Sequence, residues 1–211
     1  MKKTTVKTIA MVAALMAAVD VQAQVRETTT YDDGSYYTGV RDGKGRRHGN
    51  GLMVFANGDR YEGDWKKGII DGEGTYIYAQ GGYSYTGHWV KGNIKGHGTF
   101  RFNNGNVMEG DWTAMGTGTG SLIFPDGTRY DGPFVNGAPQ GQGVKIWADG
   151  TRYEGSFVQG HLCGQGSIVW ADGSHYEGAW LNDQYEGEGT YTDAAGEVVK
   201  GRFHAGNLVE N

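Results

Sequence analysis

The sequence contains one cysteine, Cys163, and only three prolines among its 211 residues. A single cysteine excludes an internal disulfide framework, and so few prolines exclude a collagen-like chain or a proline-rich linker. After residue 23 there is no long apolar run, so that part of the chain offers no candidate for a transmembrane helix. The chain must therefore build its structure without cross-links or a membrane-spanning helix.

Glycine and aromatic residues are abundant: the chain has 39 Gly, 6 Trp, 13 Tyr and 7 Phe. Each glycine inside a helix costs about 1 kcal/mol relative to alanine, so a helical bundle is excluded for most of the chain. The aromatic content is too high for a disordered chain. Together these features predict many short strands separated by tight turns.

The N-terminal segment 1–23 has the composition of a secretory signal peptide. Three lysines precede an apolar run at 8–19, and Ala23 is a small residue that suits cleavage. The run is too short to span a bilayer. We therefore expect cleavage before Gln24 and an exported protein, periplasmic or secreted, with peripheral attachment to the cell envelope left open.

Charge is distributed unevenly along the remaining chain. Without residues 1–23, which hold three Lys and one Asp, the formal net charge is −7; it is +2 for 24–107 and −9 for 108–211. Binding to nucleic acid or to anionic membranes depends on Lys and Arg. The composition therefore excludes a nucleic-acid partner and weighs against general binding to an anionic membrane.

An internal repeat organises the sequence. The glycine of an aromatic-x-Gly pattern recurs every 22 to 24 residues, at Gly39, Gly63, Gly87, Gly110, Gly132, Gly155, Gly178 and Gly201. Gly-x-Gly pairs and turn glycines form two further series in the same phase. The repeats are 37–60, 61–84, 85–107, 108–129, 130–152, 153–175 and 176–198, with a leading half-repeat at 24–36 and a partial repeat at 199–211.

This pattern, YxGxWxxGxxxGxG followed by a short apolar strand and a glycine turn, resembles the MORN repeat. Four residues depart from it: Met108 and Val199 replace the leading tyrosine, Arg41 replaces the second aromatic residue, and Asp183 replaces a loop glycine. The repeat 108–129 is also one residue short. The resemblance implies a binding or scaffolding module without enzymatic activity.

Alternation along each repeat predicts two strands. In YEGDW, Tyr61, Gly63 and Trp65 share one face, while Glu62 and Asp64 share the other. Asn-Gly and Asp-Gly dipeptides between the strands are strong hairpin signals. The predicted fold is all-β: an elongated, open, single-layer twisted sheet in which about seven 23-residue hairpins continue as an antiparallel meander and stabilise one another by stacking.

The aromatic stripe along one face has two interpretations. The rings form the core of the sheet, or they line a concave groove that binds a peptide, a glycan or an acyl chain. The residues of this candidate partner-binding face are Tyr61, Trp65, Tyr85, Trp89, Trp112, Tyr130, Phe134, Tyr153, Phe157, Tyr176 and Trp180.

A basic run near the start of the repeats breaks the pattern. Arg41, Lys44, Arg46 and Arg47 lie in the loop of the first repeat. They are interpreted either as a solvated loop at an end cap or as a contact for an acidic partner or a lipid headgroup.

No catalytic or metal motif emerges from the sequence. There is no Gly-x-Ser-x-Gly elbow, and 116–121 resembles a phosphate loop only because it contains the Gly-x-Gly of its repeat. His161 and Cys163 supply two potential zinc ligands where three or four are needed. We expect no enzyme activity, cofactor or metal, and we expect Cys163 to be an accessible free thiol because equivalent residues in other repeats are polar.

The sequence therefore predicts a non-enzymatic, exported repeat scaffold that mediates protein–protein interaction. Two alternatives remain: a peripheral phospholipid-binding module, and glycan binding through the aromatic face. The sequence does not identify the partner.

Overall fold

The computed structural model describes the backbone of residues 4–6 and all of residues 26–210. The predicted signal peptide at 1–23 therefore lies outside the described residues, apart from Thr4–Val6. The described residues form strands and turns and contain no helix, so none of them belongs to a helix long and apolar enough to cross a membrane. The chain divides into two compact units, unit 1 at Met1–Asn103 and unit 2 at Asn104–Asn211.

Each unit is built from strands in sequence order. Unit 1 contains β1 Thr4–Val6, β2 Glu27–Thr30, β3 Tyr36–Arg41, β4 Arg47–Val54, β5 Arg60–Lys66, β6 Ile69–Tyr78, β7 Tyr83–Val90 and β8 Asn93–Phe102. Unit 2 contains β9 Val107–Ala114, β10 Thr117–Ile123, β11 Arg129–Val135, β12 Ala138–Pro139, β13 Gly141–Ile146, β14 Arg152–Val158, β15 His161–Val169, β16 His175–Leu181, β17 Gln184–Thr192, β18 Val198–His204 and β19 Asn207–Glu210.

Strands that follow one another within a unit pair antiparallel. In unit 1 this holds from β1 to β8. In unit 2 it holds from β9 to β19, where β12 and β13 both pair with β11 on either side of Gln140. The all-β antiparallel hairpin fold predicted from the repeat is confirmed.

The predicted alternation of faces is also found. In β5, Tyr61, Gly63 and Trp65 are buried while Arg60 and Glu62 are exposed. The same pattern recurs in β14 and β16. One face of each meander therefore carries the core, which is a row of rings rather than a globular interior.

A pair of glycines lies under each core tyrosine. Gly63 of β5 faces Gly74 of β6 across the hairpin, and the Tyr61 ring lies over both. A β-carbon at Gly74 would come closer than 3.0 Å to that ring, a separation that packed atoms do not tolerate. Glycine is required here because the tyrosine ring occupies the space that a side chain would need.

The tyrosine hydroxyl compensates for a β-bulge. The register of β5 and β6 shifts between Gly63 and Trp65, and a bulge leaves a backbone group without a ladder partner. The Tyr61 hydroxyl donates to the carbonyl of Asp64 in this segment, at 3.1 Å. Five other tyrosines donate in the same way to the carbonyl three residues on, at 2.9 to 3.4 Å: Tyr37, Tyr85, Tyr130, Tyr153 and Tyr176.

The repeat 108–129 lacks both parts of this arrangement. Met108 stands in place of the tyrosine and has no hydroxyl. Gly110 pairs with Gly120 and Trp112 with Gly118 in regular register, and the shift falls later, between Thr117 and Gly118. In this repeat the irregularity therefore lies nearer the loop, away from the position at which the tyrosine hydroxyl acts in other repeats.

Tryptophan links neighbouring repeats within each unit. The Trp65 indole N–H donates to the carbonyl of Gly51 at 3.1 Å. Trp89 donates to Gly74 and Trp180 to Gly166 in the same manner, at 3.2 and 3.1 Å. In each case the acceptor is the second glycine of the preceding Gly-x-Gly pair, so the bond connects one hairpin to the next.

Candidate functional site

The predicted aromatic face is buried. All eleven of its rings are between 0 and 5% exposed, and they contact each other mostly edge to face, as Tyr153 and Phe157 do at 5.2 Å and 88°. Such pairs stabilise the fold beyond the area that they bury. The structure therefore favours the core interpretation, because these rings offer almost no surface to a partner.

The predicted basic contact is largely occupied by interactions within the chain. Arg46 forms an ion pair with Asp42 at 2.7 Å. Arg47 lies 4.2 Å from the Trp65 ring and donates to the carbonyl of Gly68 at 2.9 Å. Burial lowers the pKa of this arginine.

Arg41 and Lys44 complete this loop. Arg41 donates to the carbonyl of Gly45 and to the hydroxyl of Thr29, at 2.8 and 2.9 Å. Lys44 is exposed, and its backbone N–H donates to Asp42. Three arginines thus line a cleft of about 370 Å³, while their hydrogen bonds go to the loop, to Thr29 of β2 and to Gly68 of the next hairpin.

Cys163 lies on β15 and is half-buried, with its Sγ 3.9 Å from Oδ1 of Asn182. The adjacent Leu162 is buried. His161 bonds to Asp183 rather than joining Cys163 in a ligand set. Within residues 26–210 no three His, Cys, Asp or Glu side chains are grouped so that they could hold a metal ion.

Unit 2 contains a larger cleft, of about 610 Å³, which we call the Lys145 cleft. It lies on the core side of β13, β15 and β17, between the turns at one margin of the sheet and the loops at the other. Its aromatic and ionisable lining residues are Lys145, Trp147, His161, Trp170, Trp180, Asp183 and Tyr185. A cleft of this size is in the range of ligand-binding pockets.

Lys145 departs from the repeat at a core register. It faces Tyr130 across the hairpin. In the other six repeats the residue that faces the leading Tyr or Met is apolar or aromatic: Met53, Tyr76, Phe100, Leu122, Ile168 and Tyr191. Lys145 is not among the site residues predicted from the sequence, although alignment of the repeats at this register identifies it.

The Lys145 ammonium has no protein anion bound to it. Its Nζ lies 4.6 Å from the centre of the Trp147 ring, in cation–π range. Among residues 26–210 it forms no hydrogen bond or ion pair. Partial burial lowers the pKa of Lys145, and the more distant carboxylates of Asp183 and Asp126 oppose that shift.

Asp183 also departs from the repeat, and it closes the loop margin of the cleft. It takes the place of a loop glycine with φ of 67°, a left-handed conformation that aspartate tolerates better than most residues. Its carboxylate accepts from His161 Nδ1 at 2.7 Å and from the Leu162 N–H at 2.8 Å. Burial raises the pKa of Asp183, but these hydrogen bonds outweigh burial and lower it overall.

Aromatic residues form the remaining walls. Tyr185 stands where other repeats carry Ile70, Ile94 or Leu162 opposite the second ring. The Trp170 ring lies 6.5 Å from Tyr185.

Trp147 and Trp170 occupy a turn register that carries phenylalanine or tyrosine in the earlier repeats, as at Phe55, and aspartate at Asp193. Both tryptophans are half-buried, so part of each ring faces the cleft. The arrangement combines accessible ring faces with one unpaired cation, which suits binding rather than chemistry.

Comparison with solved structures finds matches of low sequence identity and low TM-score. The TCP domain of Drosophila melanogaster SAS-4 (dCPAP), in complex with a proline-rich motif of Ana2 (dSTIL), is 16% identical, with coverage of 91% of this chain and 97% of that chain and a TM-score of 0.41. The CPAP G-box domain is 14% identical, with coverage of 85% and 99% and a TM-score of 0.46. At these scores the similarities carry no functional argument. Curated proteins give no match.

Comparison with family models gives a direct match. The model of the MORN repeat matches residues 43–60, 61–83, 85–107, 130–152, 153–175 and 176–198. These segments cover more than half of the chain, and 108–129, with its missing tyrosine and displaced register shift, is not among them. The paired glycines, the tyrosine that covers them and the matched segments agree, and the chain belongs to the MORN repeat family.

Proposed function

We propose that this protein is a non-enzymatic, exported repeat scaffold that binds a segment of a partner protein in the Lys145 cleft. The observation that carries the proposal is the clustering of departures from the repeat. Lys145, Asp183 and Tyr185 each differ from the residues at the same register elsewhere, and all three line one cleft. The departures at Arg41, Met108 and Val199 lie outside this cleft, whereas these three side chains meet in it.

The chemistry of the cleft suits a peptide. Tryptophan and tyrosine supply large contact areas at binding hot spots, and the half-buried Trp147 and Trp170 present such surfaces at one margin. The lining also carries an ammonium and a carboxylate, which would orient polar groups of a bound chain. Few such polar groups among apolar walls are typical of binding sites.

The phospholipid alternative has less support. The arginines of the basic loop are held by Asp42, Thr29 and backbone carbonyls, so less of their charge is available to a headgroup. Residues 108–211 carry a net charge of −9, which would repel an anionic surface.

A displayed library of random linear peptides provides the test. Peptides selected on the wild-type protein would be measured by fluorescence anisotropy against Trp170→Ala and against Phe55→Ala, which removes the ring at the same turn register in unit 1. We expect Trp170→Ala to weaken binding by about 30-fold, as at a hot spot of about 2 kcal/mol, and Phe55→Ala to have no effect. Failure to select any peptide, or equal losses in both folded variants, would contradict the proposal.

The export component has its own measurement. We expect the protein purified from the cell envelope or medium to begin at Gln24, because 1–23 has the pattern of a cleaved signal peptide. Intact mass spectrometry distinguishes this product from the full chain of 22.8 kDa. Recovery of the full-length mass in that fraction would be inconsistent with processing at this site.

A further inference from the structure

We propose that Lys145 binds a carboxylate side chain of the partner segment, so that the Lys145 cleft selects an extended, neutral or basic peptide carrying one Asp or Glu beside an apolar or aromatic residue. This inference rests on the proposed function and specifies its ligand. Four properties of the cleft support it. Lys145 lies at a register that is otherwise apolar or aromatic, its ammonium has no bound anion among the described residues, the Asp183 carboxylate is already hydrogen-bonded, and the cleft reaches both margins of the sheet.

The register of Lys145 indicates that the fold does not require it. At the equivalent place in the next repeat, Ile168 is buried against Tyr153. Lys145 instead brings a charge to a partly desolvated place over Trp147, and removing a charge from water is unfavourable unless it is paired. A bound anion would supply that pair.

The ammonium remains accessible to a ligand. No buried side-chain nitrogen or oxygen of the described residues lacks a hydrogen-bond partner. Since the Lys145 ammonium has no such partner in the described chain, it must be reached by solvent. It is therefore both partly desolvated and reachable, and an incoming carboxylate would form a charge-assisted hydrogen bond that is stronger than a neutral one.

The other charge in the cleft is already engaged. Asp183 accepts hydrogen bonds from His161 and from the Leu162 backbone, so it is less available to a cationic ligand than Lys145 is to an anionic one. Unit 2 nevertheless lies in the acidic part of the chain, where the net charge of 108–211 is −9. This background field disfavours a strongly acidic segment, which limits the preferred ligand to one carboxylate in a neutral or basic context.

The residues at the two margins of the cleft indicate that the bound carboxylate belongs to a side chain within the peptide and not to the C-terminus of the peptide. At one margin the cleft is lined by Trp147 and Trp170, which lie in turns, and at the other by Gly160 and Gly206, which lie in the loops at the opposite ends of the strands. A peptide lying in the cleft can leave it at both margins. The carboxylate that meets Lys145 would then come from a side chain within the segment.

The experiment compares the peptide pool selected on the wild type with the pool selected on Lys145→Ile, and two further variants serve as controls. A library of random peptides, flanked on both sides by Gly-Ser linkers, would be selected in parallel on the wild type and on Lys145→Ile, and the pools would be sequenced. The substitution introduces the residue that the neighbouring repeat uses at the same register, so we expect the variant to fold. Lys145→Arg retains the charge, and Lys200→Ile, on the exposed part of β18, is the control for loss of any lysine in unit 2.

Enrichment of Asp or Glu next to an apolar or aromatic residue is expected on the wild type, Lys145→Arg and Lys200→Ile, and not on Lys145→Ile. For a synthetic, amidated peptide from the wild-type pool, Glu→Gln should weaken binding to the wild type by about 10-fold or more and leave binding to Lys145→Ile unchanged. The same Glu→Gln peptide, made with a free C-terminal carboxylate in place of the amide, should bind the wild type no more tightly than the amidated Glu→Gln peptide does.

The outcomes separate this inference from the proposed function. If peptide binding depends on Trp170 but the selected peptides are not enriched in Asp or Glu, the role proposed for Lys145 is wrong while the peptide-binding function stands. Recovery of affinity by the free terminal carboxylate would overturn the choice of an internal side chain. If neither protein selects peptides, both the inference and the proposed function are wrong.

Discussion

Lys145 occupies a register at which an apolar side chain would stabilise the sheet. We expect Lys145→Ile to raise the free energy of unfolding by about 1 kcal/mol, because the change removes a partly desolvated charge and buries apolar surface against Tyr130. Urea unfolding followed by tryptophan fluorescence measures this difference. The control Lys200→Ile, at an exposed site on β18, should change stability by less than about 0.5 kcal/mol. A destabilised Lys145→Ile would show that the lysine serves the fold.

The tyrosine hydroxyls provide a second prediction for single residues. We expect Tyr153→Phe to cost about 1–3 kcal/mol of stability, since the carbonyl of Ser156 would lose the donor that lies 3.2 Å away and a buried acceptor without a partner is unfavourable. Tyr36→Phe is the matched control, because the Tyr36 ring is on the exposed face. Denaturant unfolding of both variants tests this, and equal losses would contradict a special role for the hydroxyl.

Single residues also show which parts of the fold and of the candidate site the sequence could predict. Tyr61, Gly63 and Trp65 could be placed on one buried face because alternation in a strand has a period of two. Lys145 resembles any surface lysine when its strand is considered alone, and only alignment of the repeats shows that its register is otherwise apolar or aromatic. Asp183 was recognised as a departure from the repeat, but its bond to His161 depends on a neighbouring hairpin, which the residues alone do not specify.

At the level of the hairpin, the leading tyrosine and the loop length act together. The repeat 108–129 combines Met108 with a shorter loop and a register shift next to that loop, between Thr117 and Gly118, whereas 61–84 combines Tyr61 with a shift between Gly63 and Trp65. The shortness of 108–129 was visible in the sequence. The displacement of the shift was not, because it depends on how two strands pair.

This coupling can be measured with a double-mutant cycle. One variant carries Tyr61→Met, a second replaces KKGIID at 66–71 by TAMGT from 113–117, and a third carries both changes. We expect the combined variant to be more stable than the sum of the single losses predicts, by about 1–2 kcal/mol, because the transplanted loop moves the register shift away from the carbonyl to which the hydroxyl donates. Strict additivity of the three unfolding free energies would show that hydroxyl and loop are independent.

Across the whole molecule, the row of buried tyrosines makes stability depend on alkaline pH. Burial raises the pKa of Tyr85, Tyr130 and Tyr153 to about 12, compared with about 10 in an unfolded chain. The folded protein therefore retains phenolic protons that the unfolded chain has released between these pH values. Stability contributed by these groups is complete below pH 10 and falls as the pH rises from 10 to 12.

The measurement is urea unfolding at several pH values from 8 to 11.5, with Tyr153→Phe as the comparison. The variant should show a shallower decline above pH 10, because it has one titrating group fewer. Ultraviolet absorbance of phenolate should rise together with unfolding instead of preceding it. Phenolate formation in the fully folded protein near pH 10 would contradict the raised pKa values.

The choice between tryptophan and phenylalanine at the second ring of each repeat affects cooperativity. Trp65, Trp89 and Trp180 each tie a hairpin to the one before it through an indole hydrogen bond, whereas Phe134 and Phe157 have no donor with which to do so. The repeat 130–152, which contains Lys145, therefore lies between two successive joints that lack this bond; Phe203 leaves a further such joint near the end of unit 2. Local opening, seen as faster amide hydrogen exchange, should begin at these joints, so the segment that contributes the cation to the cleft is also the one best able to adjust to a ligand.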